Sequence, residues 1–147
     1  MSSTHAKWWE QPNVHVLILR DATEQMLTGV RIEISHPDYS LPLEMIIQKD
    51  SPDIIQYIYQ QKSVIGELCG GWVHPSARGQ GVFRQVIQTA IEYTKVLGLT
   101  WVLGIAGQHS IAFFETFGFE TFENIHQQST YVYPDERYCS TLLIKHN

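Results

Sequence analysis

The chain has 147 residues, 44% of them hydrophobic and 17% charged, with a formal net charge of −5 at pH 7 and a pI near 5.7. A chain of this length buries roughly 68–70% of its unfolded surface, enough for one real core, and the composition excludes disorder, collagen-like repeats and a disulfide-dense secreted fold. Only ten Lys and Arg are spread along an acidic sequence, which argues against a nucleic-acid partner, since counterion release needs clustered cations.

No apolar run approaches the ~18 residues of a membrane span, and the first ten residues lack the basic-then-apolar layout of a signal peptide. Cys69 and Cys139 lie far apart in apolar stretches, which suits buried thiols in a reducing compartment. The expectation is a single cytoplasmic domain over residues 1–147, with residues 1–12 as an N-terminal tail and no membrane partner.

Residues 14–19 (VHVLIL) form an apolar, β-branched run, and Val30, Ile32 and Ile34 alternate with Arg31, Glu33 and Ser35 as in a half-buried strand. The two read as a hairpin with a polar loop over 21–29 that leaves room for strand extension at Met26 and Leu27. Residues 36–50, with Pro37 and Pro42 and little periodicity, read as a loop. Ser51-Pro52-Asp53 then supplies an N-cap, a first-turn proline and an early acid, predicting a helix over 52–61 with an Ile54, Ile55, Ile58 stripe.

Residues 64–73 (VIGELCGGWV) read as a strand bent by Gly66 and the pair Gly70-Gly71. A glycine-bearing loop over 74–81 leads into a helix with apolar residues at Phe83, Val86, Ile87, Ala90, Ile91 and Leu97, stopped by Gly98. Residues 101–106 predict a buried strand, 110–117 a short helix closed by Gly118, 119–125 a strand and 138–145 the last strand. The order describes a mixed α/β fold with strand–helix–strand units in its second half.

A glycine loop between strand and helix leaves first-turn N–H groups unpaired at the positive end of the helix dipole, which is an anion site. Here Arg78, Gly79, Gln80, Gly81, Val82 and Phe83 would supply the amides; the plain alternative is an ordinary turn that uses Gly79 and Gly81 for sterics only. No GK[ST] follows and the GxGxxG spacing is absent, so the string is neither a P-loop nor a dinucleotide fingerprint. None of the seven histidines has metal-like spacing to another ligand, so no metal site is expected.

The stretch VHPSARGQGVFRQVIQTAIEYTKVLG, followed by WVLGIA and IAFFETFGFE, resembles the GNAT superfamily of acyl-CoA-dependent N-acyltransferases over residues 65–120. The resemblance implies a mostly antiparallel sheet with a bent central strand, parallel strand–helix–strand units in the second half and helices on both faces. It also implies acetyl-CoA or another acyl-CoA as co-substrate, its pyrophosphate on the amides from Arg78 to Phe83, its pantetheine along the strand near Trp72 and Val73, and the amine of a small molecule or peptide as acceptor. Ser76 replaces the family's usual Gln or Arg, and Gly107 falls near a common Asn position. Phe114 stands where many members carry the Tyr that protonates the leaving thiolate. His109, Tyr131 or Tyr133 takes over that role, the thiolate leaves unaided, or the domain is a catalytically silent acyl-CoA-binding or interaction module.

A helix between hairpin and bent strand, with VIGELCGGWV, is similar to the acyl-homoserine-lactone synthase and long-chain N-acyl amino acid synthase branch, which implies an acyl carrier protein as alternative donor. The resemblance also places Glu67, a carboxylate in an apolar strand, beside the thioester, where burial would raise its pKa toward that of a general base; the alternative is a solvated or strand-paired side chain. His109 is the second catalytic candidate, against a surface or helix-start role. His74 reads as a residue shaping the turn at Pro75, Cys69 as core packing, and Glu92 and Glu115 as solvated. The short front of the chain leaves apolar sheet surface uncovered, and Trp8 and Trp9 offer large rings, so a homodimer is expected.

Overall fold

The computed structural model describes residues 8–60, 64–122, 130–133 and 137–147. Along these the elements are β1 (Val14–Arg20), β2 (Met26–Ile34), α1 (Pro42–Gln48), α2 (Pro52–Gln60), β3 (Ile65–Val73), α3 (Val82–Val96), β4 (Trp101–Gly107), α4 (Ile111–Glu115), β5 (Glu120–Thr121), β6 (Thr130–Val132) and β7 (Cys139–His146), with 3₁₀ turns at Trp8–Glu10, Pro75–Ala77 and Gln108–Ser110. The strands form one sheet in the order β1-β2-β3-β4-β7-β5, with β6 pairing β7. All pairings are antiparallel except β3 with β4, the adjacent parallel pair that the crossover through α3 creates. β7 inserts between β4 and β5, so the second strand–helix–strand unit joins strands that are not neighbours.

Two cores flank this sheet. On one face Val86, Ile87, Ala90 and Ile91 of α3 pack on Val30, Ile32, Leu68, Val102 and Leu143, with Phe113 and Phe114 of α4 beside them. On the other, Leu43 and Ile47 of α1 and Ile54 and Ile58 of α2 cover Ile65, Leu103, Leu142 and Ile144. The period-2 alternation of β3, β4 and β7 therefore divides their side chains between two apolar layers.

Several expectations need correction. Residues 36–50 are not all loop: α1 starts at Pro42, whose fixed φ suits the first helical turn, and Glu44 reaches back to accept the Leu41 N–H. Glu33 does not face solvent. β2 is an inner strand, and Glu33 is 7% exposed. The strand expected over 119–125 is only Glu120–Thr121 among the described residues, 123–125 lying outside them, and β6 was not expected. Cys139 is exposed rather than buried, and Cys69 is partly buried. The tail expected over 1–12 contains the Trp8–Glu10 turn, with Trp9 50% exposed, while residues 1–7 lie outside the described chain. No helix among the described residues is long and apolar enough to cross a membrane.

Candidate functional site

Parallel pairing between β3 and β4 runs from Ile65↔Trp101 to Glu67↔Leu103 and stops there. Beyond that step the strands part into a wedge. The cause lies in β3: Gly70 and Gly71 together oppose Val30, and Gly70 takes a left-handed φ of 63°, a bulge that bends the strand away from β4. Gly71 serves a different purpose, since a Cβ there would stand 2.9 Å from the Phe83 ring. Ser35 N–H donates to the Ile65 carbonyl and His74 N–H to the Leu27 carbonyl. Strand alternation then turns the backbone groups of Leu68 and Val73 away from β2 and toward the wedge. The Trp72 carbonyl faces β2, where it accepts the Thr28 hydroxyl at 2.7 Å, and the Trp72 ring lies over Gly29.

The loop from β3 to α3 ends at the wedge. His74 caps the Pro75–Ala77 turn by accepting the Ser76 N–H at 3.1 Å. Gly79 and Gly81 follow in left-handed backbone (φ 77° and 75°), with open space where a Cβ would stand. The Arg78 N–H is bonded to the Pro75 carbonyl and the Gln80 N–H to the Ala77 carbonyl, and the helical ladder begins with the Gln85 N–H on Gly81. Among the described residues the amides of Gly79, Gly81, Val82, Phe83 and Arg84 have no acceptor. The run of acceptor-free amides differs from the expected one: the Arg78 and Gln80 amides are used within the loop while their side chains are exposed, and the Arg84 amide joins the set. Phe83 stacks on Phe113 (centroids 5.4 Å apart) and the Arg84 guanidinium lies over Phe113 and Phe117, tying the start of α3 to α4.

Glu67 occupies the last paired step of β3, 3% exposed, on the α1 side of the sheet. Its Oε2 accepts the Leu43 N–H at 3.2 Å. Directly opposite on β2 stands Glu33, whose Oε2 takes Arg31 Nε at 2.6 Å and the Cys69 thiol at 3.5 Å. Burial raises the Glu67 pKa from 4.5 to about 8, with the Glu33 charge adding to it and the Leu43 N–H opposing. Burial likewise pushes the Cys69 thiol up, with the Glu67 charge next in effect, which favours the protonated thiol over the thiolate. Sequence reasoning singled out Glu67 but not its neighbours Glu33 and Arg31.

His109 is exposed in the 3₁₀ turn after β4 and, with Tyr133, Tyr138, Cys139 and Ser140, lines an open cavity of ≈ 600 Å³. Glu67 and His109 are not brought together: Glu67 pairs with Leu103, and the turn after Gly107 lies about 13 Å further along β4 by strand rise. Tyr131, 2% exposed, packs in the second core and hydrogen-bonds Ser51. Phe114 lines the apolar interior of the wedge with Leu68, Gly104, Ile105, Ala106, Phe119 and Leu143. Glu92 and Glu115 are exposed. Among the described residues no three His, Cys, Asp or Glu side chains gather as a metal ligand set.

The sequence profile described as the Acetyltransferase (GNAT) family matches residues 45–119, just over half of the chain. The chain belongs to the GNAT family. Its GNAT fold is shared with FeeM, an N-acyl amino acid synthase from uncultured soil microbes, at a TM-score of 0.75 and 11% identity over 99% of this chain and 79% of that one. A spermidine N-acetyltransferase mutant from Vibrio cholerae aligns at 0.61 and 14% identity (93% and 68%). An acyl-CoA N-acyltransferase from Pseudomonas aeruginosa aligns at 0.56 and 19% identity (90% and 68%). No curated protein sequence matches the chain. Membership supports an acyltransferase that uses an acyl-CoA co-substrate and an amine acceptor.

Proposed function

We propose that this GNAT domain transfers an acetyl or other acyl group from acyl-CoA to a primary amine of a small molecule or peptide. The observation that carries the reading is the cluster of acceptor-free amides at Gly79, Gly81, Val82, Phe83 and Arg84, opening onto a wedge whose edges present the Leu68 and Val73 backbone. The amides and the positive end of the fifteen-residue α3 suit a pyrophosphate. Arg78 and Gln80 add polar side chains beside it, and the stretch by Trp72 and Val73 suits the amide groups of pantetheine. The acceptor enters from the face of β4 opposite α3, through the cavity of His109 and Tyr133, because Ile105 lines both that cavity and the wedge.

In the reaction the amine nitrogen bonds to the thioester carbonyl carbon and the carbon–sulfur bond breaks with its electron pair on sulfur. Glu67 takes the proton the amine sheds, and with a pKa of about 8 it does so increasingly as the pH rises to that value. Phe114 has no proton to give, and His109, about 13 Å along β4 from the step that holds Glu67, is out of reach of a thioester that Glu67 serves, so the thiolate leaves unaided. The free thiols at Cys69 and Cys139 support a cytoplasmic setting. Val16, Ile18 and Trp72 are exposed apolar side chains on the sheet, and together with Trp9 they support a homodimer.

A second reading, an acyl carrier protein as donor, is supported by α1 and α2 lying between the hairpin and the bent strand and by the likeness to FeeM. Release of free thiol from acetyl-CoA in the presence of a panel of amines tests the first reading, and acyl carrier protein thioesters in the same assay test the second. No amine-dependent release from either donor would contradict both.

A further inference from the structure

Resting on the acyl-CoA reading above, we infer that Phe114 and Phe119 close the acyl end of the wedge and restrict the donor to acetyl or a similarly short acyl group. The interior of the wedge holds only ≈ 20 Å³ of free space, bounded by Leu68, Gly104, Ile105, Ala106, Phe114, Phe119 and Leu143. That is about the room for one water or one methyl group. The lining carries no polar side chain, so the space suits a hydrocarbon end and gives no partner to a polar one.

Its far wall does not yield easily. Phe119 is 4% exposed and Leu143 1%. Phe114 meets Phe119 edge-on at 5.8 Å and Phe113 at 5.2 Å, and Phe113 is in turn stacked on Phe83 at the start of α3. Displacing the Phe114 ring to admit a longer chain would therefore disturb the contacts that set the loop of free amides. Ile105 forms the remaining side, which this space shares with the ≈ 600 Å³ cavity of His109 and Tyr133. Phe114 thus has a use of its own in this wall: it sets acyl length.

Calorimetric titration of the whole chain with CoA, acetyl-CoA and octanoyl-CoA, without acceptor, tests this. The unmodified protein should bind acetyl-CoA roughly tenfold or more tightly than octanoyl-CoA. Phe114→Ala, or Phe114→Leu if the alanine variant does not fold, should remove most of that preference by opening space for several methylenes, each worth a few-fold in affinity. Gly104→Ala acts in the opposite sense. Its Cβ would meet only the Leu68 carbonyl at 3.5 Å, an ordinary contact, so the chain folds, the space fills, and acetyl-CoA weakens while CoA itself binds unchanged. Equal affinity for both acyl-CoAs in the unmodified protein, or a preference untouched by either substitution, overturns the inference while leaving CoA binding in place. Absence of CoA binding altogether overturns the donor assignment of the preceding section and this inference with it.

Discussion

Replacing Glu67 with Gln should change how stability depends on pH, and the size of the change follows from where the carboxyl lies. Glu67 is buried to 3% exposure beside Glu33, and its pKa in the fold is about 8 against an ordinary 4.5. Between those values the unfolded chain has released the proton and the folded chain keeps it. Stability is therefore highest below pH 4.5 as far as this group is concerned, falls as the pH climbs through the window, and levels off above pH 8. At 1.36 kcal/mol per pH unit the total is about 5 kcal/mol as an upper bound, less whatever water reaches the site.

Gln has the shape of the protonated acid, accepts the Leu43 N–H in the same way and cannot ionise. Glu67→Gln should thus be within about 1 kcal/mol of the unmodified protein at pH 5 and several kcal/mol more stable at pH 9. Urea denaturation of both proteins at pH 5, 6.5, 8 and 9 reads the difference directly. Parallel curves would mean that Glu67 ionises freely in the fold and would refute the buried-acid argument, and with it the basis for treating Glu67 as a tuned base. If that role is correct, the same substitution lowers amine-dependent turnover at pH 7 by roughly 100-fold while CoA affinity stays constant, and the loss shrinks at higher pH where more free amine exists.

Gly81→Val should cost about 1–2 kcal/mol, because φ is +75° there with open space for the side chain, and should reduce CoA affinity at least tenfold by covering the free amides; calorimetry beside a melting curve separates the two. His109→Gln should leave the melting temperature unchanged, since the residue is exposed, and raise the KM for the amine more than it lowers kcat, since His109 lines the cavity proposed for the acceptor. Tyr131→Phe should lose about 1 kcal/mol with its hydrogen bond to Ser51 and leave turnover intact, as checked by denaturation and by the amine panel. Light scattering should show a dimer that Ile18→Glu converts to a monomer, Ile18 being exposed on the outermost strand; a clean monomer of the unmodified chain at high concentration would contradict this.

Most of the second half of the fold was legible because its signals are local. Glycine stops at Gly98 and Gly118, the helical spacing from Phe83 to Ile91 and the apolar run from Trp101 each depend on neighbouring residues only. The bend of β3 was visible too, since two adjacent glycines in an apolar strand have few other uses. The strand order was not. Nothing within residues 139–146 says that β7 inserts between β4 and β5, because that is decided by long-range pairing. α1 escaped because seven residues flanked by prolines hold too few turns for a period to show, and its capping relies on Glu44 reaching Leu41. With α1 unseen, Glu33 read as a solvent-facing residue of a half-buried strand. Once α1 covers that face, Glu33, Arg31, Glu67 and Cys69 become one enclosed cluster. The cradle of amides was placed within one or two residues, the error coming from the Pro75–Ala77 turn, which uses the Arg78 and Gln80 N–H groups for itself.

The central claim is that the loop entering α3 grips the pyrophosphate of CoA and the wedge takes its pantetheine arm. Residue-resolved amide NMR during titration with CoA reads that contact group by group. The largest shifts should fall on Gly79, Gly81, Val82, Phe83 and Arg84, followed by Leu68 and Val73, saturating together at one stoichiometric site, with β1 and α2 undisturbed. Shifts absent from those amides at millimolar CoA, or concentrated instead around another cavity of the folded protein, would contradict it.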